Sequence, residues 1–398
     1  MISVEDALRR VLALASPVGT ETVALRNAAG RVLAADAVAR RDQPPFAASA
    51  MDGYAICGDT PPAAGAGLRI LGEAAAGRRF AGRVGPGEAV RILTGAPMPE
   101  GADRIIIQED ADRQGDWLLP RAWPEAGANL RPACGDFQAG FRVAAPRRLG
   151  PADVALLAAM NLPELTAFRR PVVALFATGD ELVMPGEDPG PDQIVASNSF
   201  ALKALAEAEG AEVRMLPIAR DTAGSLRATF ALAEGADVIV TSGGASVGDH
   251  DLVAPVAAEL GMERAFYKVA MRPGKPLMAG RLGPAVMLGL PGNPVSAVVT
   301  AMLFLVPLLR ALQGLPADHP QRLRARLGAA VGANGPRAHY MRATLRHASR
   351  DLPEIMPVAS QDSSLLRLLA EADALLVRPV GDGPRPAGDE VDYLPLRS

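Results

Sequence analysis

The sequence predicts a multidomain fold in which a doubly wound α/β domain is joined to β-rich segments on both sides. Three observations lead there. The chain has 398 residues, and domains run to roughly 100–200 residues, so two to four are expected. From Pro171 onward short apolar runs alternate with amphipathic helical stretches, the pattern of a parallel sheet with crossover helices. Outside that region Gly and Pro interrupt the chain every few residues and leave only short strand-like runs. Composition agrees: 49% apolar residues but only 4% aromatic, with 40 Gly and 35 Pro, imply aliphatic cores and many turns.

At the N-terminus, Ser3, Glu5 and Asp6 precede Ala7, Leu8, Val11 and Leu12 and read as a capping box opening an amphipathic helix, not as an export signal. Residues 31–38 alternate apolar and polar. Residues 1–43 are too few to close a core, and 139–169 are a suitable partner, because Pro151, Val154, Leu156, Leu157 and Met160 predict a helix with one apolar face. The two segments are expected to form one elongated discontinuous domain, 1–43 and 139–169. Residues 44–138 then form an inserted β-rich domain with strand-like runs at 69–71, 89–93 and 104–108.

The α/β domain spans 170–316, with strand-like runs at 172–176, 213–218, 238–240 and 286–290. Leu202, Leu205, Ala206 and Glu209 put a mainly apolar stripe on its first helix, and Leu226, Phe230 and Ala233 do so on the second. The longest apolar run, 295–309, contains Ser296, Thr300 and Pro307 and falls short of the roughly 20 residues needed to cross a bilayer, so it predicts a buried helix, offered as a subunit interface. Residues 317–398 form a C-terminal β domain, with alternation at 341–345 and a helix-like 365–370.

Several function classes are disfavoured. Net charge is −3, from 41 basic and 44 acidic residues, which gives no basic footprint for nucleic acid. Cys57 and Cys134 stand far apart, so neither a disulfide framework nor a zinc site is expected, and a reducing cytoplasm fits. His250, His319, His339 and His347 lack metal-ligand spacing, and no nucleophile elbow is present.

In open parallel sheets ligands bind beyond the carboxyl ends of the strands. Here one strand runs into Thr178-Gly179-Asp180-Glu181, the next into Arg220-Asp221, the third into Ser242-Gly243-Gly244-Ala245-Ser246-Val247-Gly248-Asp249, and the fourth into Pro291-Gly292-Asn293-Pro294. Successive N–H groups of a Gly-Gly loop can cradle an anion. Asn293 and Pro294 read as an N-cap and first-turn pair that aims a helix N-terminus at the same rim. One Gly-rich exit alone is an ordinary turn; four on one sheet edge point to a binding site. Lys268, Arg272 and Lys275 add cations suited to oxyanions. Asp180, Glu181, Asp221 and Asp249 would repel an anion unless Mg2+ lies between, although Asp180 and Asp221 also suit helix caps or turns. The segments 44–55 and 94–99 have the turn chemistry of exposed loops.

The ordered set Ser49-Ala50-Met51-Asp52-Gly53-Tyr54-Ala55, Thr94-Gly95-Ala96, Thr178-Gly179-Asp180-Glu181-Leu182, Ser242 to Gly248, Arg272-Pro273-Gly274-Lys275-Pro276 and Leu290-Pro291-Gly292-Asn293-Pro294 resembles the molybdopterin molybdenumtransferases, the family that includes the gephyrin E domain. The resemblance covers nearly the whole chain. It implies a homodimer of four-domain subunits, an α/β domain similar to the molybdopterin adenylyltransferases, and a cleft between that domain and the partner's second domain. Carried over by motif, Asp52, Thr94, Glu181 and Asp221 are implied catalytic positions, with Glu181 and Asp221 toward Mg2+. Asp136, Gly243, Gly244, Ser246, Lys268, Arg272, Lys275, Pro291, Asn293 and Pro294 are implied binding positions. Arg272 stands where the family more often has Lys, and Thr222 where a second Asp is common. The implied substrates are adenylyl-molybdopterin and molybdate. Implied partners are a second copy, a molybdopterin adenylyltransferase and molybdoenzyme maturation proteins, with no nucleic acid or membrane. The alternatives are an adenylyltransferase, which the length and flanking β regions exceed, and a gephyrin-like scaffold, for which no linker or appended domain is visible.

Overall fold

A computed structural model describes residues 1–63, 65–244, 252–346 and 351–396; Ser246, Asp249, His250 and His347 lie outside the described residues. The two segments flanking the insertion close on each other. Strand Thr20–Ala24 pairs antiparallel with Glu164–Phe168, Val32–Leu33 lies between Glu164–Phe168 and Arg147–Arg148, and Ala37–Val38 pairs with Arg142–Val143. Leu33, Leu157, Met160 and Leu165 fill the core so formed, the middle two carried by helix Pro151–Ala159 and its C-cap.

Helix Val4–Leu12 begins where Ser3 accepts a hydrogen bond from the Asp6 N–H at 3.0 Å. Its buried Val4, Ala7, Leu8 and Val11 enter the core of the α/β domain, against Leu308 and Leu312 among others, and not the discontinuous domain to which chain order assigns it. Periodicity identifies an apolar face but not the surface that covers it.

The insertion forms a six-stranded sheet in the order Arg104–Ile107, Gly53–Ile56, Glu88–Ile92, Leu68–Ala74, Trp117–Pro120, Ala111–Gln114. Its loops at 47–49 and 95–98 are packed on each other and are not exposed: Gly95 N–H donates to the Ser49 carbonyl at 2.8 Å, Ser49 N–H to Ala96 at 3.0 Å and Met98 N–H to Ala47 at 2.8 Å. Ser49 is fully buried. The turn-forming residues predicted at these positions serve backbone pairing between loops, which leaves Met51 and Thr94 facing outward.

In the α/β domain the strands Glu212–Met215, Val172–Ala177, Val238–Ser242 and Ala285–Leu290 lie parallel in that order, followed by antiparallel Met278–Leu282 and Glu263–Tyr267. Alternate side chains feed opposite layers. Val173 and Leu175 join Leu202 and the helix after residue 294, while Ala174 and Phe176 join Leu226, Phe230 and Val256. Helices therefore cover both faces, as a doubly wound sheet requires.

The apolar run is α-helical over Pro294–Thr300, π-helical over Ala301–Leu305 and α-helical over Val306–Leu312. Pro307 has no N–H to donate and its ring crowds the preceding turn; the π turn before it accommodates the change. By length and composition this helix, Pro294–Leu312, could cross a membrane, but most of it is buried inside the protein. Its apolarity is satisfied by this chain's own core, so it carries no argument for a subunit interface.

The C-terminal region is a closed barrel: Ala338–Arg346, Glu354–Pro357, Leu323–Leu327, Glu390–Pro395 and Ala374–Arg378 pair in sequence, and the last returns to the first. Met271–Arg272, a strand contributed by the α/β domain, adds beside Ala338–Arg346. That addition brings the cationic segment against the barrel.

Candidate active site

At the carboxyl edge of the parallel strands lies a cleft of about 870 Å³. Its floor is built by the strand exits, and it gathers Glu181, Asp221, Gly243, Gly244, Arg272, Lys275, Pro291, Asn293 and Pro294. Gly243 has φ +97°, and a Cβ there would stand 2.6 Å from the Thr178 carbonyl oxygen, so only glycine lets the third exit press against the first. At Gly179 a Cβ would sit 2.3 Å from a Glu181 carboxylate oxygen. The missing side chain is what allows that carboxylate to fold back over its own loop.

Asp221 is not the helix cap. Thr222 occupies the N-cap of Ala223–Leu232 and accepts from the Ser225 N–H at 3.2 Å. Asp221 instead accepts from the Thr178 hydroxyl at 2.9 Å, which ties two strand exits together. Asp180 is a brace: its carboxylate accepts from the Asp221 N–H at 3.1 Å, and it does not line the cleft. Asn293 holds the N-cap position of Pro294–Thr300 but makes no capping bond; its amide donates to the Ser363 hydroxyl at 2.9 Å, across to the barrel.

The remaining expected residues lie elsewhere. Lys268 does not line the cleft, and its ammonium rests 5.2 Å from the centroid of the Tyr267 ring. Asp136 is exposed in the insertion, its N–H bound to the Gln43 carbonyl at 3.0 Å. Asp52 and Thr94 form a compact pair there, with one Asp52 oxygen accepting from both the Thr94 N–H and hydroxyl at 2.7 Å. Those two bonds, first the backbone one, hold the Asp52 carboxyl below its ordinary range, and the Arg91 charge adds to them. None of the three lines the cleft of its own chain.

Sequence reasoning missed part of the wall. Asn198 donates to the Ser242 hydroxyl at 3.0 Å and to the Gly292 carbonyl at 2.7 Å, joining two strand exits. Arg337, Gln361, Asp362, Ser363 and Ser364, all from the C-terminal region, complete the lining. Nothing in a Gln-Asp-Ser-Ser run distinguishes it from a turn, and Ser197-Asn198 reads as an ordinary helix start. Beside Arg272, the barrel residue His339 is pressed down to about 4 by burial and then by Arg272, Arg337 and Arg378, so it is neutral near pH 7. Among the described residues no three His, Cys, Asp or Glu side chains gather as a metal site.

The expected glycine cradle is partly spent, because the Gly243 N–H donates to the Leu290 carbonyl and the Gly179 N–H to the Ala219 carbonyl, both at 3.1 Å. A sheet edge carrying close-packed glycine exits, the carboxylates of Glu181 and Asp221 and the cations of Arg272 and Lys275, roofed by a separate barrel, defines a multidomain α/β protein with a charged cleft at its strand exits. Three family models match in series: the MoeA N-terminal region (domain I and II) over residues 2–161, a probable molybdopterin binding domain over 174–311, and the MoeA C-terminal region (domain IV) over 324–396. A molybdopterin molybdenumtransferase of Nostoc sp. is 37% identical over 388 residues, 95% of this chain and 89% of that one. One of Haemophilus influenzae is 33% identical, covering 100% and 99% of the two chains. A crystal structure of the molybdopterin biosynthesis MoeA protein of Pyrococcus horikoshii superposes with a TM-score of 0.84 at 30% identity, covering 100% of both chains. The chain belongs to the MoeA family.

Proposed function

We propose that the protein is a molybdopterin molybdenumtransferase, which inserts molybdate into adenylyl-molybdopterin and yields molybdenum cofactor and AMP. The observation that carries this reading is the cleft itself: glycine loops, two carboxylates and the Arg272–Lys275 cations share one rim in a chain similar to named transferases over its full length. With the Gly243 N–H spent on Leu290 and the Val295 N–H on Ser363, the positive end of Pro294–Leu312, where Ser296 lines the cleft, suits phosphate oxygens. Arg272 and Lys275 suit molybdate, Arg through a planar fork and Lys as a point charge. Because the substrate brings its own dithiolene sulfurs, the protein needs no Cys or His cluster. Its work is positioning and charge neutralisation.

Two carboxylates beside an anion cradle suit Mg2+, which commonly uses one or two carboxylates plus substrate phosphates and waters. Glu181 and Asp221 would hold it; Asp221 has spent one oxygen on Thr178 and keeps the other. Bound there, Mg2+ would neutralise phosphoanhydride charge. We propose further that the enzyme acts as a homodimer in which the Asp52–Thr94 pair of one subunit faces the cleft of the other, since the pair is preorganised yet absent from its own chain's cleft.

Incubation with adenylyl-molybdopterin and Mg2+ should release AMP only when molybdate is present, and chelation of Mg2+ should stop it. AMP release that ignores molybdate would sink the transferase reading. Adenylylation of molybdopterin from ATP would favour an adenylyltransferase.

A further inference from the structure

Arg342 lies on the barrel strand Ala338–Arg346 and is 1% exposed, yet it does not line the cleft. Its guanidinium donates to three carbonyls of one loop: Ser360 at 3.0 Å, Asp362 at 2.8 Å and Leu365 at 2.9 Å. Gln361 doubles the attachment, accepting from the Arg342 N–H at 2.9 Å and donating to the Arg342 carbonyl at 3.0 Å. Among the described residues Arg342 makes no ion pair with a carboxylate. The Asp362 carboxylate acts on this guanidinium only through space, and burial opposes its charge more strongly; burying it in that way is costly, and an aliphatic side chain would serve barrel packing better. What an aliphatic residue cannot do is gather three carbonyls around one planar fork.

The loop so shaped is the cleft's barrel-side wall, residues 361–364. Within it Asp362 accepts from the Ser364 N–H and hydroxyl, both at 2.9 Å. At its tip Ser363 meets the α/β domain twice, its hydroxyl accepting from Asn293 at 2.9 Å and its carbonyl from the Val295 N–H at 3.1 Å. The same barrel strand that carries Arg342 also pairs with Met271–Arg272. Both the cation and the wall opposite it are therefore referred to one strand.

We infer that Arg342 is a positioning residue: by gathering the carbonyls of Ser360, Asp362 and Leu365 it holds the barrel loop against Asn293 and sets the width of the oxyanion end of the cleft. This rests on the transferase reading for the identity of the oxyanion, but not for the loop's support. Removing the fork frees the loop, and a displacement of about 1 Å in a positioning group is enough to cost on the order of a hundred-fold.

The test compares Arg342→Lys, which keeps a charge but loses the fork, with Ile355→Val, a barrel-core change remote from the loop that controls for lost stability. Hydrogen exchange of the 360–365 amides, molybdate binding by calorimetry and molybdate-dependent AMP release are measured on the full chain. For Arg342→Lys, exchange in the loop should quicken and the molybdate Kd and KM should rise about ten-fold or more, with AMP binding unchanged. Ile355→Val should leave Kd and KM unchanged. If Arg342→Lys does not fold, Asn293→Ala, which frees the same loop at its exposed end, should produce the same loop exchange and Kd changes. An unchanged loop exchange, an unchanged molybdate Kd, or an equal effect of Ile355→Val overturns the inference. Wild-type protein that binds molybdate without releasing AMP overturns only the transferase reading, and one that binds no molybdate overturns both.

Discussion

Asp221 and Thr222 are neighbours with separable duties, and mutation should separate them. Thr222→Ala removes the cap of Ala223–Leu232 and is expected to lower stability by about 1 kcal/mol while most turnover survives. Asp221→Ala should do the reverse, retaining the thermal midpoint and losing most AMP release. A thermal melt and an AMP assay on both proteins check the division, and a large stability loss at Asp221 would return it to a structural role. Arg272 lines the cleft, and Arg272→Ala should raise the molybdate concentration for half-maximal rate about ten-fold or more, since a charge-assisted hydrogen bond contributes about 1.5–3 kcal/mol. Arg272→Lys should retain activity with a changed molybdate requirement. Unchanged molybdate dependence in the Ala variant would make Arg272 a solvated loop residue. His339 gives a pH signature. With its folded value near 4, set by burial and the neighbouring arginines, against about 6.5 unfolded, the unfolded chain binds the extra proton between those limits. Stability is thus full above about pH 6.5 and falls as pH drops toward 4, by no more than about 3 kcal/mol from this group. Chemical denaturation across pH 4–7 should show that slope diminished in His339→Gln; an identical slope would discount the histidine.

At the level of elements, the strand exits depend on backbone shape as much as on side chains. The third exit approaches the first closely enough that Gly243→Ala must displace the Thr178 carbonyl as well as adopt φ +97°, a strain on the order of 1–3 kcal/mol. Because Thr178 also donates to Asp221, the displacement should reach the carboxylate, and both thermal midpoint and turnover should fall. A variant with wild-type values in both would show that the loop is not tightly coupled. The long apolar helix illustrates a different limit. Its periodicity marks it as buried, but the covering surfaces, helix Val4–Leu12 and helix Asn198–Ala208 among them, come from two distant parts of the chain.

For the whole molecule, domain orientation rests on a shared apolar core, which joins Val4, Leu8, Val11 and Val18 and the barrel residues Tyr340 and Leu375 to the α/β domain, and on one polar junction. Glu209, at the end of helix Asn198–Ala208, accepts from Arg148 of the discontinuous domain at 2.9 Å and from Arg310 at 2.8 and 3.1 Å, while Gln313 donates to its carbonyl at 2.8 Å. The Arg148–Glu209 contact ties the discontinuous domain, which carries the insertion, to the α/β domain. The dimer reading is checked by light scattering: a particle of twice 41.3 kDa is expected, and a fully active monomer at micromolar concentration would refute it. Mixing inactive Asp52→Ala and Asp221→Ala subunits should restore part of the AMP release, because one of the two clefts in a mixed dimer is then intact.

By itself the sequence determined the four parallel strands of the α/β domain, its first two helices and the long apolar helix, and the set of glycine-rich exits on one sheet edge; the antiparallel strands Met278–Leu282 and Glu263–Tyr267 and helix Val253–Glu259 were not read from it. What it determined is legible because strand alternation, helical periodicity and turn chemistry are local, and because a parallel sheet places its exits on one edge regardless of detail. Only the tertiary structure decided that helix Val4–Leu12 belongs to the α/β core, that Thr222 and not Asp221 caps its helix, that Asn293 reaches Ser363, and that residues 361–364 wall the cleft. Each of those depends on which surfaces meet across hundreds of residues, and a polar residue that caps, braces or lines a site has the same local pattern until its partner is in place.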